Sequence, residues 1–196
     1  MHDYKWLNEY CLNRFGSAKA LEAHLPSPKT PRQLQAISAD RYLSTMALRV
    51  FRAGLSADHL ERLMQDARII RHLGKLKSVP RNAQLILDIE QEHGSFGKFI
   101  AEWPVDNITG LWQYIAKHGN QMGGLSAPRF LRMIGKDTFI PTWDVVAALN
   151  AQDIVDRVPS SKRDQAIVQD VFNQWHAESG RPMCQLSAML AFTVNH

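Results

Sequence analysis

Met122-Gly-Gly-Leu-Ser-Ala-Pro-Arg-Phe-Leu-Arg-Met-Ile-Gly135 is the stretch on which the reading of this chain turns. Upstream of it, Leu111, Trp112, Tyr114 and Ile115 recur at helical spacing on one face, and Gly119 closes that helix. Gly123 and Gly124 then allow a tight turn with positive φ, and Ser126 is placed to cap a second helix opening at Ala127-Pro128. The spacing predicts a helix-hairpin-helix over about 111–134. Such a turn aims backbone N–H groups outward at a helix N-terminus, where the dipole also favours an anion, and a nucleic-acid phosphate is a natural guest. Gly123, Gly124, Leu125, Ser126 and Arg129 are the candidate phosphate contacts.

Downstream, Phe139-Ile-Pro-Thr-Trp-Asp-Val-Val-Ala-Ala-Leu149 sets Asp144 at the start of another apolar helix. An acid in the first helical turn is common and needs no function, because the positive end of the dipole favours it. Beside a phosphate-binding hairpin the same carboxylate suits glycosidic cleavage of a nucleotide. It could stabilise a developing oxocarbenium sugar and orient or deprotonate a water.

Elsewhere apolar residues recur at spacings of three and four and β-branched alternation is scarce, so the fold class expected is all-α. Residues 57–72 and the run around Leu85, Ile86 and Ile89 show the pattern. Pro26, Pro28 and Pro31 divide a first helix from a second, and Val158-Pro-Ser-Ser-Lys162 reads as a turn into a further helix with a serine cap. The final stretch Pro182–Val194 is apolar nearly all round and reads as a buried helix. We expect one domain over 1–196, a compact two-lobed bundle of nine or ten short helices. Its cleft would lie between a lobe of 40–110 and a lobe of 1–39 plus 111–196.

The 196 residues carry 23 Lys or Arg against 19 Asp or Glu, a formal charge of only +4, so the sum names no partner. The distribution is more telling. Lys117, Arg129, Arg132 and Lys136 face no acid between 117 and 136, and five basic residues meet one acid between 66 and 81. An acidic stretch at 82–110 partly cancels them. A polarised surface of this kind is the footprint of a polyanion binder, and ordinary solvated helix faces are the plain alternative. Two cysteines supply no disulfide framework, no apolar run reaches the roughly 20 residues of a membrane helix, and the start lacks a secretory pattern. A cytoplasmic protein with no membrane contact is expected. Nucleotide-binding Gly-rich loops, His-Glu-x-x-His and serine-nucleophile elbows are absent from the sequence, which argues against kinases, metalloproteases and common hydrolases.

Gly123-Gly-Leu-Ser126 followed by Ile140-Pro-Thr-Trp-Asp144 resembles the signature of the helix-hairpin-helix (HhH-GPD) DNA glycosylase superfamily, whose catalytic aspartate falls at Asp144. Ala53-Gly-Leu-Ser56 and the long block Glu61–Ala83 resemble bacterial 3-methyladenine DNA glycosylase I. The resemblance implies a DNA glycosylase of base excision repair acting on double-stranded DNA with a damaged base. It further implies flipping of an alkylated, 3-methyladenine-like purine and Asp-assisted hydrolysis of the N-glycosidic bond. Leu55 would be the wedge that fills the stack, although a core leucine is an equal reading. Where bifunctional members carry a nucleophilic lysine this chain has Pro128, so no lyase activity is expected.

The departures are specific. Arg49 stands where the family's base-contacting glutamate belongs, Ala57 replaces an expected aromatic, and the two blocks lie closer together near 56–57 than in the family. With Arg49, the candidate base pocket holds Trp6, Tyr10 and Trp143; Trp175 is a fourth possible stacking residue. The family's zinc knot transfers poorly: Cys11, His24, His176 and Cys184 are weak ligand candidates, so no metal and no other cofactor is expected. A monomer is expected. The alternative is a non-catalytic DNA-binding or lesion-sensing protein that kept the scaffold while its pocket drifted.

Overall fold

A computed structural model describes residues 3–46, 61–62, 64–66 and 72–194, and among them the chain is all α-helix with no strand. The helices are α1 (Tyr4–Phe15), α2 (Ala18–Glu22), α3 (Pro31–Gln35), α4 (Ala39–Met46), α5 (Leu73–His93) and α6 (Phe96–Glu102). A 3₁₀ turn at Val105–Asn107 then leads to α7 (Ile108–His118), α8 (Ser126–Ile134), α9 (Trp143–Ala151), α10 (Lys162–Ser179) and α11 (Met183–Ala191). These eleven among the described residues exceed the nine or ten expected. Gly16 and the prolines cut the N-terminal 35 residues into three helices, two of them only five residues long.

Local chemistry explains most of the boundaries. Thr30 and Gln33 form a reciprocal capping box on α3, Ser95 caps α6, and Ser161 accepts from Asp164 N to open α10 after the expected turn. α11 is buried along its length, as its composition implied. Packing joins α3 and α5 to α6, and α4 to both α5 and α8; α11 sits against α1, α9 and α10. The α3–α6 approach is close enough that a Cβ at Gly97 would lie 2.8 Å from the Leu34 carbonyl, so only glycine fits there.

The core runs through all these elements. Tyr42 is fully buried, donates its hydroxyl to Leu34 O at 2.7 Å and meets Phe96 edge-on. Phe139 stacks on Phe172 with ring centroids 4.2 Å apart, and Trp112 packs edge-on against Phe139. Trp175 lies wholly inside this cluster, so it cannot stack on an incoming base; its surface is committed to Phe172 and Trp6. Among the described residues no helix is long and apolar enough to cross a membrane.

Candidate functional site

Helices α7 and α8 pack on one another and are joined by residues 119–125. α7 ends at Gly119, whose N–H donates to Ile115 O at 2.8 Å. The left-handed conformations in the loop belong to Gln121 (φ 61) and Gly124 (φ 58), not to both glycines as expected. Space around Gly123 and Gly124 is open within 4 Å of where a Cβ would stand. Among the described residues the backbone N–H groups of 121–125 donate to no protein acceptor, while Ser126 N donates to Gly123 O at 3.1 Å and closes the turn. The undonated N–H groups of the exposed Gly123 and Gly124, just ahead of a nine-residue helix, are suited to oxyanions.

Ser126 does not cap α8. The helix begins at Ser126 itself, with Leu125 already in right-handed geometry at the cap position and no side-chain cap bond. The Ser126 side chain is exposed, as is Arg129; Leu125 is half-buried and Pro128 is buried in the first turn.

The charge of this region also differs from expectation. Lys136 is only 3% exposed, its ammonium held by Trp103 O at 2.6 Å and Ala101 O at 3.3 Å, and burial pushes its pKa down to about 8. Arg132 is half-buried, with Nη2 donating to Thr138 O at 2.7 Å, and desolvation lowers its pKa. Of the four basic residues between 117 and 136, Lys117 and Arg129 therefore remain as exposed cations. The other two hold the fold.

Asp144 lies in the first turn of α9, half-buried, behind the cap residue Thr142, whose side chain faces Val145 N at 3.5 Å. Beside it Trp143 is 77% exposed. A tryptophan usually buries most of its large surface, so this indole is available to an outside partner. Tyr10 is also exposed. Trp6 is half-buried edge-on to Trp175, its indole N–H shut away from water without an acceptor among the described residues. Arg49 and Leu55 lie outside the described residues, as do Arg68 and Arg71.

Between α8 and Asp144 runs a connector, 136–142, in which the sequence pattern puts Lys136 on a basic surface and singles out neither Asp137 nor Thr138. Asp137 accepts from Met183 N at 3.0 Å and Cys184 N at 2.8 Å, which caps α11 from a distance in sequence. Thr138 accepts from Trp112 Nε1 at 3.1 Å, and Ile140 N donates to Ser187 Oγ at 3.1 Å. Lys136 and Thr138 spend polar groups on α6 and its end and on α7, and Asp137 and Ile140 spend theirs on α11. No local signal announces them, since Lys-Asp-Thr after a glycine reads as an ordinary surface loop.

The zinc candidates do not fit a metal. Cys11 Sγ faces Met189 O at 3.5 Å and Cys184 Sγ faces Pro26 O at 3.8 Å, both buried. Burial pushes the thiols up to about 11 and about 12. His24 Nδ1 is engaged by Ala20 O and His176 Nδ1 by Arg181 O. Among the described residues no three His, Cys, Asp or Glu side chains converge.

An all-α chain carrying a helix–loop–helix with free loop amides, followed by an aspartate-led helix, has the character of a glycosylase-like helical fold. Residues 46–122 match the methyladenine glycosylase family model. The match covers less than half of the chain and stops inside the loop, before Gly123 and Asp144. No curated protein and no solved structure matches the chain.

Proposed function

We propose that the protein is a monofunctional DNA glycosylase that removes alkylated, 3-methyladenine-like purines from double-stranded DNA as a monomer. One observation carries the reading: the methyladenine glycosylase match runs directly into a loop whose N–H groups at 121–125 have no protein acceptor among the described residues. Those amides and Arg129 hold phosphates on the damaged strand, and the cleft between the 40–110 lobe and the rest of the chain receives the flipped nucleotide. Flipping costs a few kcal/mol, less at a lesion than at a paired base. Trp143, exposed beside Asp144, offers a stacking surface for the extruded purine.

Asp144 then acts on water. Its carboxylate takes a proton as the water oxygen bonds to the sugar C1′, and the N-glycosidic bond breaks with its electron pair leaving on the base. A cationic alkylated purine departs neutral, so it needs no general acid. Pro128 offers no amine for a Schiff base, so the product is an intact strand with an abasic site.

Base release from methylated duplex, resolved by chromatography, tests the reading. Wild type should free the alkylated purine, Asp144→Asn should lose at least a hundredfold in rate, and borohydride should trap no covalent complex. Release by Asp144→Asn at the wild-type rate would overturn the assignment. Duplex binding by wild type with no base released from a broad lesion panel would leave the lesion-sensing alternative, which Arg49 in place of the family glutamate favours.

A further inference from the structure

We propose that Asn82 is the positioning residue of the loop 119–125, fixing the amides that grip the phosphate although it stands on a different helix. The inference rests on the glycosylase reading above and adds to it a residue that touches no substrate. Asn82 lies on α5 and is 2% exposed. Its Oδ1 accepts from Asn120 N at 2.7 Å, and its Nδ2 donates to Asn120 O at 3.1 Å. One buried side-chain amide thus satisfies both backbone polar groups of a single loop residue 38 positions away, in the manner of a strand pair. Each of these groups would otherwise be left without a protein partner.

The consequence falls on the next residue. Gln121 takes φ 61, a left-handed conformation that a side-chain-bearing residue adopts only at a cost, and it persists only when its neighbours over-determine it. Asn120, pinned on both sides, supplies one restraint. The other is the Gln121 side chain, which lies over the first turn of α5: a Cβ at Gly74 would stand 3.9 Å from Gln121 Nε2. With Asn120 and Gln121 held, the chain leaves α5 in a fixed direction, and the undonated N–H groups of the exposed Gly123 and Gly124 that follow keep a fixed place. Without Asn82, Gln121 relaxes to negative φ and those amides lose that place.

Because the clamp holds the Asn120 backbone, the side chain at 120 is dispensable to it. That asymmetry gives the test. Affinity for an undamaged fluorescein-labelled duplex would be measured over a salt series for wild type, Asn82→Ala, Asn82→Ser and Asn120→Ala, well below each melting temperature, with hydrogen exchange read at the Asn120 amide. Asn82→Ala should bind about tenfold more weakly, lose about 0.9 from the slope of log affinity against log salt, and exchange the Asn120 amide at least tenfold faster. Asn82→Ser, too short to reach both groups, should follow it, while Asn120→Ala should match wild type. A lower melting temperature for Asn82→Ala and Asn82→Ser with unchanged affinity and slope would overturn the proposal, because that is what a merely structural residue does. Equal losses in Asn82→Ala and Asn120→Ala would overturn it too. Wild type without duplex affinity would remove the glycosylase reading and this inference together, an outcome distinct from wild-type binding that Asn82→Ala leaves intact.

Discussion

Replacing Asp137 by alanine should be among the most damaging single changes outside the apolar core. The carboxylate accepts two backbone N–H groups at the start of α11, from Met183 at 3.0 Å and Cys184 at 2.8 Å, where Pro182 occupies the cap position and provides no side-chain cap. Hydrogen bonds to a charged group contribute about 1.5–3 kcal/mol each, and loss of an ordinary cap costs about 0.5–2 kcal/mol. Asp137 is half-buried, so solvent recovers part of that, and roughly 3 kcal/mol is the expected total. Its charge also supports the Arg132 and Lys136 cations, which burial otherwise disfavours. At roughly 2–4 °C per kcal/mol for a domain of this size, the melting temperature should fall by about 6–12 °C. Asp137→Asn retains one oxygen acceptor and should lose about half as much.

Thermal and urea unfolding followed by far-ultraviolet circular dichroism would measure both. An Asp137→Ala protein within about 0.5 kcal/mol of wild type would refute the reasoning, since exposed substitutions without a structural role fall in that range. Loss in Asp137→Asn equal to that in Asp137→Ala would show that charge, not the pair of hydrogen bonds, carries the effect.

Lys136 makes stability depend on pH with a definite sign. Its folded pKa of about 8 lies below the ordinary 10.5, so between those values the unfolded chain binds a proton the folded chain has released, and stability rises with pH across that window. The stability gap between wild type and Lys136→Met should therefore move in favour of wild type by roughly 3 kcal/mol from pH 7 to pH 10.5, and a flat gap would contradict a buried ammonium. Cys11 and Cys184 act in the opposite sense above pH 9: the folded chain keeps protons the unfolded chain loses, so Cys11→Ala with Cys184→Ala should flatten the alkaline decline seen by urea unfolding. Arg129→Ala should lower the salt slope of duplex binding by about 0.9, whereas Arg132→Ala should leave the slope alone and lower the melting temperature, because its guanidinium is spent on Thr138 O. Gly124→Val should weaken duplex binding more than Gly123→Ala, since φ 58 costs a branched residue roughly 1–2 kcal/mol although its Cβ meets open space.

What the sequence disclosed follows the range of the interactions involved. The helices on either side of the loop, the stop at Gly119, the serine at the head of α10 and the buried α11 are set by neighbours within a turn or two, and periodicity with glycine and serine placement reveals them. The start of α8 was misplaced by one residue because Leu125 continues the helical geometry backwards, which leaves Ser126 inside the helix instead of at its cap. Lys136, read as a cation of a basic face, and Asp137, Thr138 and Asn82, not singled out at all, were misjudged for a different reason. Each looks like a surface polar residue, and each is committed to a partner 26 to 47 positions away. Trp175 escaped in the opposite sense: composition offered it as a stacking surface, and long-range packing used it up.

The distant ties also settle how the two halves of the chain depend on each other. The family match ends at Met122, yet the segment beyond it is fastened to the matched segment by buried polar contacts that apolar packing alone would not make directional. Lys136 of the connector holds Ala101 and Trp103, Thr138 holds the Trp112 indole, and Gln169 on α10 accepts from Thr109 N at 3.0 Å. Hydrogen bonds fix direction where dispersion does not, so these contacts set the angle at which α8, the connector and α9 leave the matched segment. These contacts help to fix where the head of α9 stands, and Asp144 with it. A substitution in the connector should consequently shift the head of α9, and Asp144 with it, as well as lower stability.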